Sequence, residues 1–255
     1  LKYSIGKFNI KAGRQLLNTP FINPQDGRMR PNFEQAIWFE LVNWKKLNLS
    51  GGWISAISPR GTSQWFDMKN SVGIYPSGIA TSGKKSNYFG HIKSTGVYML
   101  GAKWKAADCV SISVWNLYFE NVMNTALLQF DVEKKRSDKP TIIVGGQFIQ
   151  QNALNNGGNE VADMAYVDKN SQTMTAGGRF GLVWKKFDLS VNYNNIFGTG
   201  RYLMPREWGR DPFYTFMPRE RNEGFAHVHA IALKTNITWL KSHMKSSVSM
   251  GYFKL

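Results

Sequence analysis

One short run concentrates the charged groups most able to act on a small solute: Asp26-Gly27-Arg28-Met29-Arg30. Its two guanidiniums carry permanent charge and present planar donor forks that match a carboxylate. Asp26 either orients one arginine or caps a tight turn around Gly27. An Asp26–Arg28 contact can equally pin the segment to a wall, and the two roles are compatible. Further basic groups stand at polar positions within alternating runs. Lys11 lies between Ile10 and Ala12, and Arg179 precedes Phe180. Arg60 sits at the root of a long segment, Pro59 to about Ser94. The candidate binding set is therefore Arg28, Arg30, Asp26, Lys11, Arg179 and Arg60. Its chemistry is fixed charge in a confined space, which is what a selective pore requires.

Covalent chemistry finds little support. His227 and His229 stand two apart on one strand face, but a zinc site needs three or four ligands and no Cys/His partner set accompanies them. They are expected to line the lumen as neutral polar groups. The sequence holds no Gly-x-Ser-x-Gly elbow, no phosphate loop and no dinucleotide fingerprint. Cys109 is the single cysteine, so no internal disulfide framework exists. The expectation is a non-enzyme with no catalytic residue, no cofactor and no metal. Lys and Arg total 32 against 17 Asp and Glu, a formal charge of +15. That balance implies anionic partners. The basic residues are spread over turns and loops, not gathered on one face of a known module, which argues against nucleic acid.

The elements that must position these residues are strands. Alternation is clear in Cys109–Tyr118, where Val110, Ile112 and Val114 oppose Ser111 and Ser113. It recurs in Thr125–Glu133, in Thr173–Trp184 and in the last run, where Val248, Met250 and Tyr252 oppose Ser247, Ser249 and Gly251. About twelve such runs occur, many near the roughly ten residues that a tilted strand needs to cross a bilayer. Tight turns alternate with long loops, and aromatics gather beside the turns: Trp44, Trp104, Trp184, Phe187 and Trp239. Both features fit an outer-membrane barrel, with rings at the headgroup interface and lysines reaching outward. A soluble β-rich protein with strand-end aromatics capping its core is the other reading. A mean hydropathy of −0.35 fits either, because only alternate strand residues of a barrel face lipid. No apolar run is long enough for a transmembrane helix. The chain starts and stops within strand-like runs, so we expect a single barrel domain over 1–255, truncated at both ends.

The loop Asn18–Asn32 is longer than the two to five or so residues of an ordinary hairpin turn, and is expected to fold back into the mouth of the barrel. Two other long segments are expected to differ. Pro59–Ser94, with Arg60, Lys69, Trp65, Phe66 and Tyr75, would narrow the pore if folded inward. Phe197–Gly224 mixes five arginines with acids and reads as a self-paired external loop, or one that touches lipopolysaccharide. Arg14 shares the face of Phe8, Ile10 and Ala12, so strict alternation points it outward.

The block Ala12-Gly13-Arg14-Gln15, Asn18-Thr19-Pro20 and Asp26-Gly27-Arg28-Met29-Arg30-Pro31 resembles the OprD-type outer-membrane porin family, nearest a Bacteroidetes-like branch. Ser58-Pro59-Arg60, Val72-Gly73-Ile74-Tyr75 and Trp115-Asn116 extend the likeness over the first half of the chain. The resemblance implies a Gram-negative outer-membrane protein, an all-β, transmembrane, up-and-down antiparallel barrel of about eighteen strands, about twelve of them present here. It implies passive, substrate-selective diffusion of small solutes, often with carboxylate groups, past a lumenal row of basic residues. The implied partners are small anionic or zwitterionic solutes, the lipid bilayer and lipopolysaccharide, with the protein a monomer or a loose trimer. A structural or adhesive surface protein that binds acidic polysaccharide is the alternative of a different class.

Overall fold

Alternating runs joined by turns that favour left-handed residues should pair with their sequence neighbours. In the computed structural model they do. The structure describes residues 1–24, 30–75, 85–217, 224–239 and 244–254. The strands are β1 (Lys2–Ile5), β2 (Phe8–Gln15), β3 (Phe33–Trp44), β4 (Leu47–Ser58), β5 (Phe66–Asp67), β6 (Val97–Ala107), β7 (Val110–Phe119), β8 (Met123–Arg136), β9 (Lys139–Ala153), β10 (Gln172–Trp184), β11 (Phe187–Gly198), β12 (His229–Trp239) and β13 (Met244–Lys254). They form one 13-stranded antiparallel sheet in simple sequence order, with the short β5 alone lying off that path against β4. A single helical turn, α1 (Met68–Ser71), follows β5. The expected twelve long runs correspond to the twelve strands of the path. The run expected from Phe225 begins as a strand only at His229.

Register fixes which side each residue takes. Across β7 to β9, Val114 pairs with Leu128 and Leu128 with Phe148 on one face. On the other, Ser113 pairs with Gln129 and Gln129 with Gln147. The first face is apolar and bare. Trp44, Trp104, Trp184 and Trp239 on it remain 46–51% exposed, all at the tight-turn ends. Contiguous apolar surface of this extent is unfavourable in water. The second face is polar and covered, and the loops from the opposite end fold onto it. A core of Leu17, Phe21 and Ile22 from the first long loop, Met68 and Val72 near α1, and Tyr202, Trp208 and Phe213 from the last packs against Trp38, Ile54, Phe119 and Ile149 of the wall. Trp208 is fully buried, its ring 5.1 Å from that of Phe119. Its indole Nε1 donates to Ser71 Oγ at 2.8 Å.

One irregularity shapes the wall beside the first loop. The β3–β4 register slips between Gln35 and Ala36, leaving Ser55 as an extra residue whose hydroxyl donates to the Gln35 carbonyl at 3.2 Å. A bulge of this kind bends a strand and increases its twist. Just below it, Gly52 lies between Trp38 and Met99 with no space for a side chain. A Cβ there would strike the carbonyl oxygen of Ile37 and lie 3.0 Å from Trp38 Cα. Because the obstacle is backbone, Gly52→Ala should prise β3 from β4. We expect a loss of about 1–3 kcal/mol, typical of overpacking, read as a lower urea midpoint for the folded protein in micelles, while Gly178→Ala, where a Cβ meets nothing within 4 Å, leaves the midpoint unchanged.

Candidate functional site

The segment between β11 and β12 crosses the covered face, and its peptide groups must find partners there. Amide side chains supply them, since each offers a donor and an acceptor as a peptide does. Gln151 on β9 donates to Leu203 O at 2.8 Å and accepts from Leu203 N at 2.9 Å. Asn23 of the first loop does the same for Arg210, at 3.0 and 3.1 Å. Gln147 donates to Pro212 O at 3.0 Å. The Glu207 carboxylate accepts from the backbone N–H groups of Gly73 and Tyr75 at 3.0 and 2.8 Å, which joins this loop to the one after β5. The segment is thus an inturned strap. The expectation of an external loop is overturned: its large apolar residues, Tyr202, Trp208 and Phe213, outweigh its exposed charges and carry it inward.

The strap's far end is held by charge. The Tyr214 hydroxyl donates to Asp131 Oδ1 at 3.0 Å, and Gln129 donates to Asp131 Oδ2 at 2.7 Å. Lys234 Nζ donates to the carbonyls of Tyr214 and Phe216, both at 2.8 Å. Burial, and then the Asp131 charge, push the Tyr214 phenol well above its ordinary value of 10.0. Tyr214 therefore remains a neutral donor at any physiological pH.

Between strap and wall lies a cleft of about 400 Å³. Its charged lining is Arg179, Arg210 and Lys234 against Asp188 and Asp211. Arg179 makes no hydrogen bond or ion pair with any described residue, and its buried Nε lacks a partner. The register orders the wall charges along the strands. Arg179 pairs with Asn192, Lys234 with Ser190 two residues on, and Asn236 with Asp188 two beyond that. At about 3.4 Å per residue, each step is roughly 7 Å. From the loop end to the turn end the wall presents two positive levels and then a negative one.

The residues singled out in the sequence occupy different stations. Arg179 lies in the cleft. Lys11 is on the same covered face, near the tight-turn end, paired with Glu40 at 3.4 Å. The Arg30 guanidinium ties its loop to the carbonyls of Pro59 and Thr62 and stacks on Phe33. Arg60 donates its backbone N–H to Asn32 Oδ1 at 2.7 Å and lays its guanidinium over Tyr75. Asp26 and Arg28 fall outside the described residues. Arg14 points outward as alternation requires, 4.4 Å over the Trp65 ring. His229 does not line the wet face: it sits on the bare one in phase with Ile231 and Leu233, bonded to the Tyr193 hydroxyl at 2.8 Å, and His227 precedes the strand with a positive φ. Among the described residues no group of three or more His, Cys, Asp or Glu is placed to hold a metal. Arg210, Lys234, Asp131 and Tyr214 were not singled out by sequence. Lys234 was legible there, on the Ala230/Ala232/Asn236 side of an alternating run.

Residues 1–211 match the family model for outer membrane porins of the OprD family. The chain belongs to that family. No curated protein matches it by sequence. Among solved structures the porin is similar to Pseudomonas aeruginosa OpdK crystallised with vanillate, at 14% identity and a TM-score of 0.79, covering 98% of this chain and 61% of that one. It is similar to P. aeruginosa OpdQ at 15% identity and a TM-score of 0.75, covering 99% and 62%. Acinetobacter baumannii OccAB3 matches at 13% identity and a TM-score of 0.72, covering 92% and 53%. The chain therefore spans 53–62% of the length of these porins. At these identities the likeness establishes the barrel fold. The family places the protein in the Gram-negative outer membrane, with its bare apolar face toward lipid and its covered face toward the lumen.

The Tyr214–Asp131 bond gives a direct test of the strap's anchorage. Tyr214→Phe removes a hydrogen bond to a charged acceptor, worth about 1.5–3 kcal/mol, and should raise the open-channel noise of single-channel recordings. The bond is fully in force below the ordinary phenol value and is lost only as pH climbs beyond it. Spectrophotometric titration should accordingly find one tyrosine that stays protonated while ordinary phenols ionise, and that tyrosine should be missing from Tyr214→Phe.

Proposed function

We propose that the porin gives passive, selective passage to small carboxylate-bearing solutes, and that the cleft beneath the strap is where they are chosen. The observation that carries this reading is Arg179, a guanidinium on the lumenal wall that has no partner for its charge among the described residues and a buried Nε that lacks an acceptor there. A solute carboxylate supplies what is missing, as a bidentate acceptor in a confined space where charge is screened less than at a surface. Arg210 lines the same cleft from the strap. Phe213, Tyr214 and Phe216 give it an aromatic side suited to a flat solute body. The vanillate in the OpdK crystal, an aromatic carboxylate, is of this chemical kind.

Passage also requires release. Asp188 lies two levels below Arg179, and Asp211 borders the cleft, so the carboxylate meets repulsion as it leaves the cationic levels. Binding stays weak enough for turnover, as in any selective conductor. Lys11, offset by Glu40, continues the basic lining toward the turn end. In this reading Arg30 and Arg60 keep the loops after β2 and β4 in position, and Arg179 and Arg210 meet the solute. No bond is made or broken and no cofactor takes part.

The test is reversal potential in planar bilayers with the complete protein. Arg179→Gln combined with Arg210→Gln should lower anion preference and weaken block by an aromatic carboxylate by about tenfold, the equivalent of about 1.4 kcal/mol. Selectivity identical to wild type would remove the cleft from the filter.

A further inference from the structure

The turn end of the barrel carries an expensive choice of residues. The β3–β4 turn is Asn43-Trp44-Lys45-Lys46, with φ of 54° at Asn43, 49° at Lys45 and 68° at Lys46. The β10–β11 turn is Trp184-Lys185-Lys186, with Lys185 at φ 53°. Tight hairpins need such left-handed residues, and Asn-Gly supplies them without steric cost. Lysine does not. Two turns from opposite parts of the sheet nonetheless place Lys-Lys directly after an outward tryptophan. In both, the first ammonium lies over its tryptophan ring, at 5.7 Å for Lys45 and 5.5 Å for Lys185. None of the four lysines forms an ion pair among the described residues. Asp108, whose charge Lys46 feels, is held by Lys105 at 3.2 Å.

We propose that these lysines form a binding belt for the anionic phospholipid headgroups of the periplasmic leaflet. Short turns face the periplasm in barrels of this kind. Trp44, Trp104 and Trp184 stand on the lipid face at the same end, so their rings mark the headgroup depth. An ammonium laid along such a ring is held at the level of the lipid phosphates, where basic groups are attracted to anionic lipid. A soluble acidic polymer would gain nothing from the tryptophans, whereas a phospholipid uses both, its chains against the indoles and its phosphate at the ammoniums.

The experiment compares thermal unfolding of the complete protein in phosphatidylcholine vesicles with and without phosphatidylglycerol. Wild type should gain Tm with phosphatidylglycerol at low salt and lose most of that gain at high salt. The variant K45N/K46G/K185N/K186G should have a higher Tm than wild type in phosphatidylcholine alone, because its turns are relieved, and should show no phosphatidylglycerol gain. That opposite pair of shifts separates lipid binding from a folding defect. An equal phosphatidylglycerol gain in both proteins would overturn the proposal. So would a wild-type gain produced by soluble peptidoglycan fragments and absent with lipid.

Discussion

A peptide segment laid across the inside of a barrel takes its N–H and C=O groups away from bulk water, and each unpaired group would cost as much as a lost hydrogen bond. The rest of the lumen follows from that constraint. The wall answers it with neutral amides at the right levels: Gln147 and Gln151 on one face of a single strand, and Asn23 from the first loop. Two of these pair with the strap as a second peptide would, donor and acceptor together. Without them the buried tryptophan and phenylalanine of the strap could not be reached, because their burial would orphan the backbone beside them.

Neutral clamps also decide where charge can be used. Because amides hold most of the strap, its support does not draw on Arg179. Lys234 is the exception, a cation committed to two carbonyls, and it fixes the strap beside the cleft while still adding to the cleft's field. The arginines divide in the same way. Arg30 contacts loop carbonyls and a ring and acts as a joint, whereas Arg179 makes no such contact among the described residues.

The architecture was largely legible in the sequence, because period-2 alternation survives wherever one face meets lipid and the other meets water. Ser111, Ser113 and Arg179 fall on the polar side by that rule alone, and the register agrees. The tryptophans beside the turns were equally plain. The loops were harder. Arg30 looks like a filter residue because its type suits one, yet its fate depends on two carbonyls from a segment thirty or so residues away, and long-range pairing of this kind leaves no local period. The strap was misjudged because its arginines and acids hide three buried aromatics that have no regular spacing. His229 was misplaced because its polar type suggests the wet face, whereas it is in phase with Ile231 and Leu233 on the bare one.

The Asn23–Arg210 clasp joins residues 187 positions apart, whereas every wall hairpin pairs near neighbours. Local pairs can form early, and a distant clasp must wait for its second half to exist and arrive. The order of assembly follows. The wall grows hairpin by hairpin, and the strap can dock only after the strands on both sides of it are in place. A barrel caught midway would have an open lumen, so the last contacts made in folding are also the ones that narrow it.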